Sequence, residues 1–385
     1  MRVLLISHTC QSRVEGQPKA AQLAAWKGLD LRVLVPDRWY EYGRWRRAEA
    51  PEGAAYAFTA ERVALPWTGP AQWYLHWYPR LAAILREFRP HIIDIWEEPY
   101  GLVSAQTCWL RNRILPQTKI LSETEQNINK NLPLPFERCR AYTLRNADFA
   151  VGRNAEAVAV LRSKGFTGPA AVVPNAVDAD LFRPMERAAC RAELGYQPTD
   201  FVAGYVGRLV ESKGLMEAVD ALPHCPGNVR LLFVGAGDFK TDLEERARDL
   251  GVSERVRFLP ARPLTDLPKV MNALDTLLLV SRTTPSWKEQ FGRVVIEANA
   301  CGTPVIGSRS GAIPEVVGNA GLIVPEKDPV ALAAAIRDLA DNPHRRNELG
   351  AIGRAQVEAK FTWARVADQM HDIYSQILDS KCDRP

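Results

Sequence analysis

Short apolar runs separated by amphipathic stretches recur along almost the whole chain, and few folds tolerate that rhythm. Runs of this length alternating with helical periods build parallel sheets covered by helices. In the first half they fall at Val3 to Ser7, Leu31 to Pro36, Ile92 to Trp96, Lys119 to Ser122 and Phe149 to Gly152. The segment VVPNAVDADLFRP, residues 172–184, then carries two prolines and no period. After it the rhythm restarts at Phe201 to Val206, Arg230 to Val234, Val256 to Leu259, Thr276 to Val280 and Pro304 to Gly307. A chain of 385 residues exceeds one ordinary core. The expectation is therefore an α/β protein of two doubly wound domains, residues 1–173 and 186–362, with 174–185 as the linker. Beyond Asp328 the pattern turns helical, with Leu332, Ala335, Ile336 and Leu339 spaced behind a first-turn Pro329. Val366, Met370, Ile373 and Ile377 mark a last helix within 363–385.

Composition narrows the function. A hydrophobic share of 46% and a charged share of 24% belong to a soluble globular chain. A net charge of +4, with no Lys/Arg run longer than Arg46-Arg47, leaves no nucleic-acid footprint. Seven scattered cysteines without a Cys-x-x-Cys pair point to free thiols in a reducing compartment rather than disulfides or a metal centre. The opening MRVLLISHTC is too short for a signal-peptide core and is read as a buried strand. No stretch of about eighteen apolar residues exists to cross a membrane. A cytoplasmic protein is expected.

The most informative local pattern is KEQFGRVVIEANACGTPVIGSRSGAIPE, from Lys288 to Glu315. Gln290, Phe291 and Gly292 form the start of a helix, Arg293 to Ala300 its body, and Cys301-Gly302-Thr303-Pro304 its stop. A helix start offers unpaired N–H groups and a partial positive charge, which suits an anion. Glu289 lies just before it, and Glu297 about 9 Å along the axis from Phe291 at 1.5 Å per residue. Two acceptors flanking an anion hole suit hydroxyls on either side of a diphosphate. Earlier in the second domain, Gly207-Arg208-Leu209 closes a strand and Lys213-Gly214 opens a helix. Two cations at the carboxyl end of a strand are where open α/β sheets bind ligands. A solvated turn with ordinary basic residues is the competing reading.

Glu, seven residues, Glu, followed by Ala300-x-Gly302-x-Pro304-Val305 and Gly311-x-x-x-Glu315, resembles the donor-site signature of the GT-B glycosyltransferases, specifically glycosyltransferase family four. The resemblance implies two Rossmann-like domains with a cleft between them and a terminal helix, 363–385, crossing back onto the first. It also implies sugar transfer from a UDP- or GDP-linked donor with retention of anomeric configuration. Arg208 and Lys213 take the role of diphosphate clamp, Glu289 orients the sugar and Glu297 the ribose. The turns at Gly235-Ala236-Gly237 and Ala261-Arg262-Pro263 border the base. Where the family has a glycine pair after the first strand, only Gly16 remains. Where many relatives carry a histidine, this chain has Glu123 to Asn129, so Gln126 or Asn127 takes over a hydroxyl.

The chemistry expected on this basis is a same-face reaction in which the departing diphosphate accepts the incoming hydroxyl's proton. No covalent nucleophile is evident. Glu97 and Glu98 are the paired acids at a strand end of the first domain, read either as acceptor ligands or as charges ahead of Pro99. Asp178-Ala-Asp180 matches a metal motif only superficially, and no metal or other cofactor is expected. Eight of the ten tryptophans fall within the first 109 residues, Trp67 among them. With the basic residues of RWYEYGRWRR, 38–47, and WYLHWYPR, 73–80, they suit a membrane face, sugar stacking or a protein interface. The acceptor stays open among a saccharide, a lipid-linked group and a small alcohol. The rival readings are a nucleotide-sugar-binding module without transfer and a nucleotide-sugar epimerase.

Overall fold

The computed structural model describes residues 1–41, 44–64 and 70–379, so Trp67 lies outside it. The chain forms two compact units, Met1–Pro174 with Trp363–Pro385, and Asn175–Thr362.

The first unit is built on β1 (Arg2–Ile6), β2 (Asp30–Pro36), β3 (Arg38–Glu41), β4 (Arg44–Arg47), β5 (Ala57–Glu61), β6 (Ile92–Ile95), β7 (Lys119–Thr124), β8 (Phe149–Gly152) and β9 (Ala170–Val172). Seven of these form one parallel sheet in the order β5-β2-β1-β6-β7-β8-β9, while β3 and β4 pair as an antiparallel ribbon between β2 and β5. Val3 to Ile6 are wholly buried, as a central parallel strand covered on both faces requires. The last helix, Trp363–Asp379, lays Val366, Met370, Ile373 and Ile377 inward and packs on the helix Gln17–Ala24. Trp26 stacks on His371 with ring centroids 3.9 Å apart, and Tyr374 donates a 2.6 Å hydrogen bond to Asp94. That helix is therefore part of the first unit.

The second unit carries β10 (Phe201–Val206), β11 (Val229–Val234), β12 (Val256–Leu259), β13 (Thr276–Leu279), β14 (Val305–Ser308) and β15 (Gly321–Val324). They run parallel in the order β12-β11-β10-β13-β14-β15. The strand order reverses between β10 and β13, and a doubly wound sheet places its ligand crevice at the carboxyl ends of that pair. Residues 175–185, expected as a free linker, belong to this unit. Val177 bridges to Thr362 and Phe182 is buried in the second core.

Both units are thus Rossmann-like doubly wound sheets, as the rhythm of the sequence predicts. The differences lie at the sheet edges. β5, β9 and β15 were not expected, because an edge strand covered on fewer sides needs fewer apolar residues. β5 reads AFTAE and has no fully buried position.

Candidate active site

At the carboxyl end of β10 the chain turns at Gly207 and runs through a short 3-10 turn, Glu211–Lys213, to Gly214. At the end of β13 lies Ser281, and the loop beyond it returns Glu289 to the same point. Glu289 accepts hydrogen bonds from Lys213 Nζ at 2.7 Å and from Ser281 Oγ at 3.0 Å. Lys213 Nζ also sits 4.4 Å from the centroid of the Trp287 ring. The ammonium is thereby held between a carboxylate and an aromatic face, both on the loop that leads into the next helix. Two of the sequence-predicted residues, 76 positions apart, are in direct contact at the switch point.

The helix Arg293–Ala300 starts from Gly292, whose φ of 79° lies in the left-handed region. A Cβ there would come within 2.6 Å of a Leu279 methyl, so the turn requires glycine. No side chain caps this start. Its first N–H groups are those an anion takes up. One turn on, Glu297 is buried. Burial lifts its carboxyl above the usual range, and the Arg293 charge pulls it only part of the way back. Among the described residues no hydrogen-bond donor meets this carboxylate, as befits a group reserved for ligand hydroxyls.

Other predicted residues have different surroundings. The Phe291 side chain is buried against Phe361 and belongs to the core, so only its backbone is available to a ligand. Gln290 is half-buried beside Glu289. The Arg208 guanidinium is exposed, and its carbonyl accepts a 2.8 Å bond from the Tyr205 hydroxyl. Arg262 is exposed beyond β12 at the edge of the sheet, two strands from the switch point. A Cβ on Gly235 would stand 1.8 Å from the Gly207 carbonyl oxygen, and one on Gly237 2.0 Å from that of Leu209. These glycines let two strand-end turns pack on each other.

In the first unit Gly16 precedes the helix Gln17–Ala24, and a Cβ there would strike the backbone of Thr9 and Cys10 at 2.5 Å. Packing alone accounts for it. Glu98 is half-buried and accepts from Thr124 Oγ1 at 2.6 Å and the Glu125 N–H at 2.8 Å. Burial pushes its carboxyl up to about 7. Gln126 accepts from the Ile128 N–H, and Asn127 is buried and donates to Glu156. Glu97, read as a ligand or a solvated charge, is buried and faces His8. Asp178 Oδ1 accepts from the Asp180 and Leu181 N–H groups, both at 3.0 Å, and caps a turn. Sequence reasoning missed Ser281, Trp287 and His8. The one signal for His8 was its place, two residues past the first strand.

Two Rossmann-like units, the second with a carboxylate, an ammonium and an uncapped helix start at its switch point, define a class of nucleotide-ligand protein. The chain belongs to the glycosyl transferases group 1 family, whose pattern matches residues 186–356. It is 32% identical over 302 residues to a D-inositol 3-phosphate glycosyltransferase of Corynebacterium jeikeium, covering 74% of this chain and 68% of that one. The like-named protein of Segniliparus rotundus is 37% identical over 216 residues, 54% of this chain and 47% of its own length. The chain thus spans about half the length of that relative. Sucrose-phosphate synthase from Thermosynechococcus elongatus has the same fold, with a TM-score of 0.74 at 23% identity, covering 99% of this chain and 100% of that one. This is the GT-B fold expected from the donor-site pattern.

Proposed function

We propose that the chain moves a sugar from a UDP- or GDP-linked donor to an acceptor hydroxyl, with retention and without a bound metal. The observation that carries this reading is the Lys213–Glu289–Ser281 cluster at the switch point, one turn of chain from an uncapped helix start. The anomeric carbon's bond to the diphosphate breaks as the acceptor oxygen bonds to the same face, and the hydroxyl proton passes to the departing diphosphate. Lys213 and the helix start stabilise the charge that develops on it, with Arg208 as a mobile second cation. Glu289 orients the sugar, and Glu297 holds the ribose diol.

The names of the relatives make an inositol phosphate the first acceptor to try. A lipid-linked acceptor at a membrane face draws support from the exposed Trp45 and Trp109, which lie under the guanidiniums of Arg38 and Arg113 at 5.0 and 4.2 Å. No helix among the described residues is long and apolar enough to cross a membrane.

The reading is tested by incubating the protein with UDP- and GDP-sugars in the absence of acceptor. Slow release of UDP or GDP from one of them names the donor. Release from none, despite measurable nucleotide binding, replaces transfer with a binding module. With the donor in hand, Glu297→Gln is expected to raise its Michaelis constant about tenfold while kcat stays within a factor of about three, the mark of lost ground-state binding. A fall in kcat with an unchanged Michaelis constant would remove Glu297 from the ribose. Excess chelator is expected to leave the rate unchanged. Loss of activity restored by manganese would refute metal-independence.

A further inference from the structure

The first sheet also has a switch point, between β1 and β6, where Ile6 pairs with Ile95. Two residues past each strand, His8 and Glu97 meet. Glu97 accepts the His8 backbone N–H at 2.5 Å and lies 2.7 Å from its Nδ1. A carboxylate only accepts, so Nδ1 carries the proton and Nε2 is the accepting nitrogen of the neutral ring. Burial works against Glu97's charge, but His8 outweighs it and holds the carboxyl below the usual range.

Aromatic rings frame this pair. Trp39, 2% exposed, stacks beneath His8 at 4.9 Å, and Trp73 meets its edge at 4.6 Å. The side chain of His8 is 15% exposed and Trp73 40%, so these two present the surface. Beneath them, Trp39 Nε1, Gln72 Nε2 and His76 Nε2 are buried without hydrogen-bond partners among the described residues. Reaching them requires only that the exposed Trp73 swing aside.

We propose that this end of the first sheet binds a neutral polyol ring, the acceptor of the transfer reaction, with His8 Nε2 accepting from a ring hydroxyl and Trp73 covering the ring's C–H face. The inference rests on the transferase reading for its role, though not for its binding. An aromatic wall beside accepting and donating nitrogens matches a saccharide or cyclitol, which offers both an apolar face and hydroxyls. Two carboxylates, Glu97 and Glu98, stand at the same strand end and disfavour an anion there, so any phosphate of the acceptor lies outside this subsite. Glu97 is a positioning residue: it fixes the His8 tautomer and does not touch the ligand.

The probes are myo-inositol and methyl α-D-mannopyranoside, followed by saturation-transfer NMR and by the ring 15N shifts of His8, with UDP and GDP affinity as the control on the second unit. In the wild type at least one probe is expected to bind and to move the His8 Nε2 resonance. His8→Ala and Trp73→Ala are expected to weaken it tenfold or more, and His8→Gln less, because its amide oxygen still accepts. Nucleotide affinity is expected to stay within twofold in all three. No binding of either probe by the wild type, or equal binding by His8→Ala and Trp73→Ala, overturns the site. A parallel loss of nucleotide affinity assigns these residues to structure instead. Failure of the donor screen with probe binding intact would refute transfer and leave the polyol site standing.

Discussion

Lys213→Ala is expected to lower kcat about 10²- to 10³-fold at saturating donor, the range found when a positioned donor to developing negative charge is removed. Lys213 is half-buried and fixed on both sides, by Glu289 and by the Trp287 ring, so its charge stands in place before any diphosphate arrives. A preorganised charge of this kind loses nothing to reorientation during the reaction. Arg208→Ala is expected to be less damaging, because an exposed guanidinium must first be ordered. Loss of Lys213 leaves Glu289 with the Ser281 hydroxyl, so the thermal midpoint is expected to stay within about 4 °C of wild type, or about 1 kcal/mol. Steady-state kinetics on the donor found by hydrolysis, beside a thermal melt, make the comparison. Turnover within threefold of wild type would eliminate Lys213 as a clamp.

How much of this was visible in the residues alone depends on distance along the chain. Central parallel strands are buried on both faces and appear as unbroken apolar runs, which is why β1, β10 and β13 were evident. Edge strands such as β5 are half-covered and give no such run. Glu289 and Glu297 were legible because a helix start and its spacing are local. Phe291 sits in the same pattern, yet its ring turns into the core, since a motif fixes backbone placement and not which side of it faces a ligand. The His8–Glu97 pair spans 89 positions and exists only because β1 and β6 are neighbours in the sheet. Nothing local to either residue reports that adjacency. Glu97 therefore looked like half of a Glu97-Glu98 pair, when its true partner is a histidine near the start of the chain.

Lys19→Met is expected to cost the first unit about 3–5 kcal/mol, the usual penalty for removing one partner from a buried charge network. Lys19 contacts Glu123, lies 3.7 Å from Asp94 and sits 4.3 Å from the centroid of the Trp96 ring, while Arg153 holds the other oxygen of Glu123. All four charged groups are buried. Two carboxylates so close cannot both ionise freely. Burial first, then the Glu123 charge, pushes Asp94 up to about 8, although Lys19 and the Tyr374 hydroxyl pull the other way. The folded chain therefore keeps a proton on Asp94 that the unfolded chain has lost above about pH 4. Its stabilising effect is full below that pH and declines as pH climbs towards about 8. Asp94→Asn mimics the protonated form, still accepting from Tyr374, and is expected to flatten that decline. Denaturant melts of wild type, Lys19→Met and Asp94→Asn between pH 4 and 9 separate the two effects. Parallel profiles for wild type and Asp94→Asn would mean that no proton resides there. Because Tyr374 lies on the last helix, that proton also bears on how firmly residues 363–379 dock, and Lys19→Met is expected to raise amide exchange there before the central strands follow.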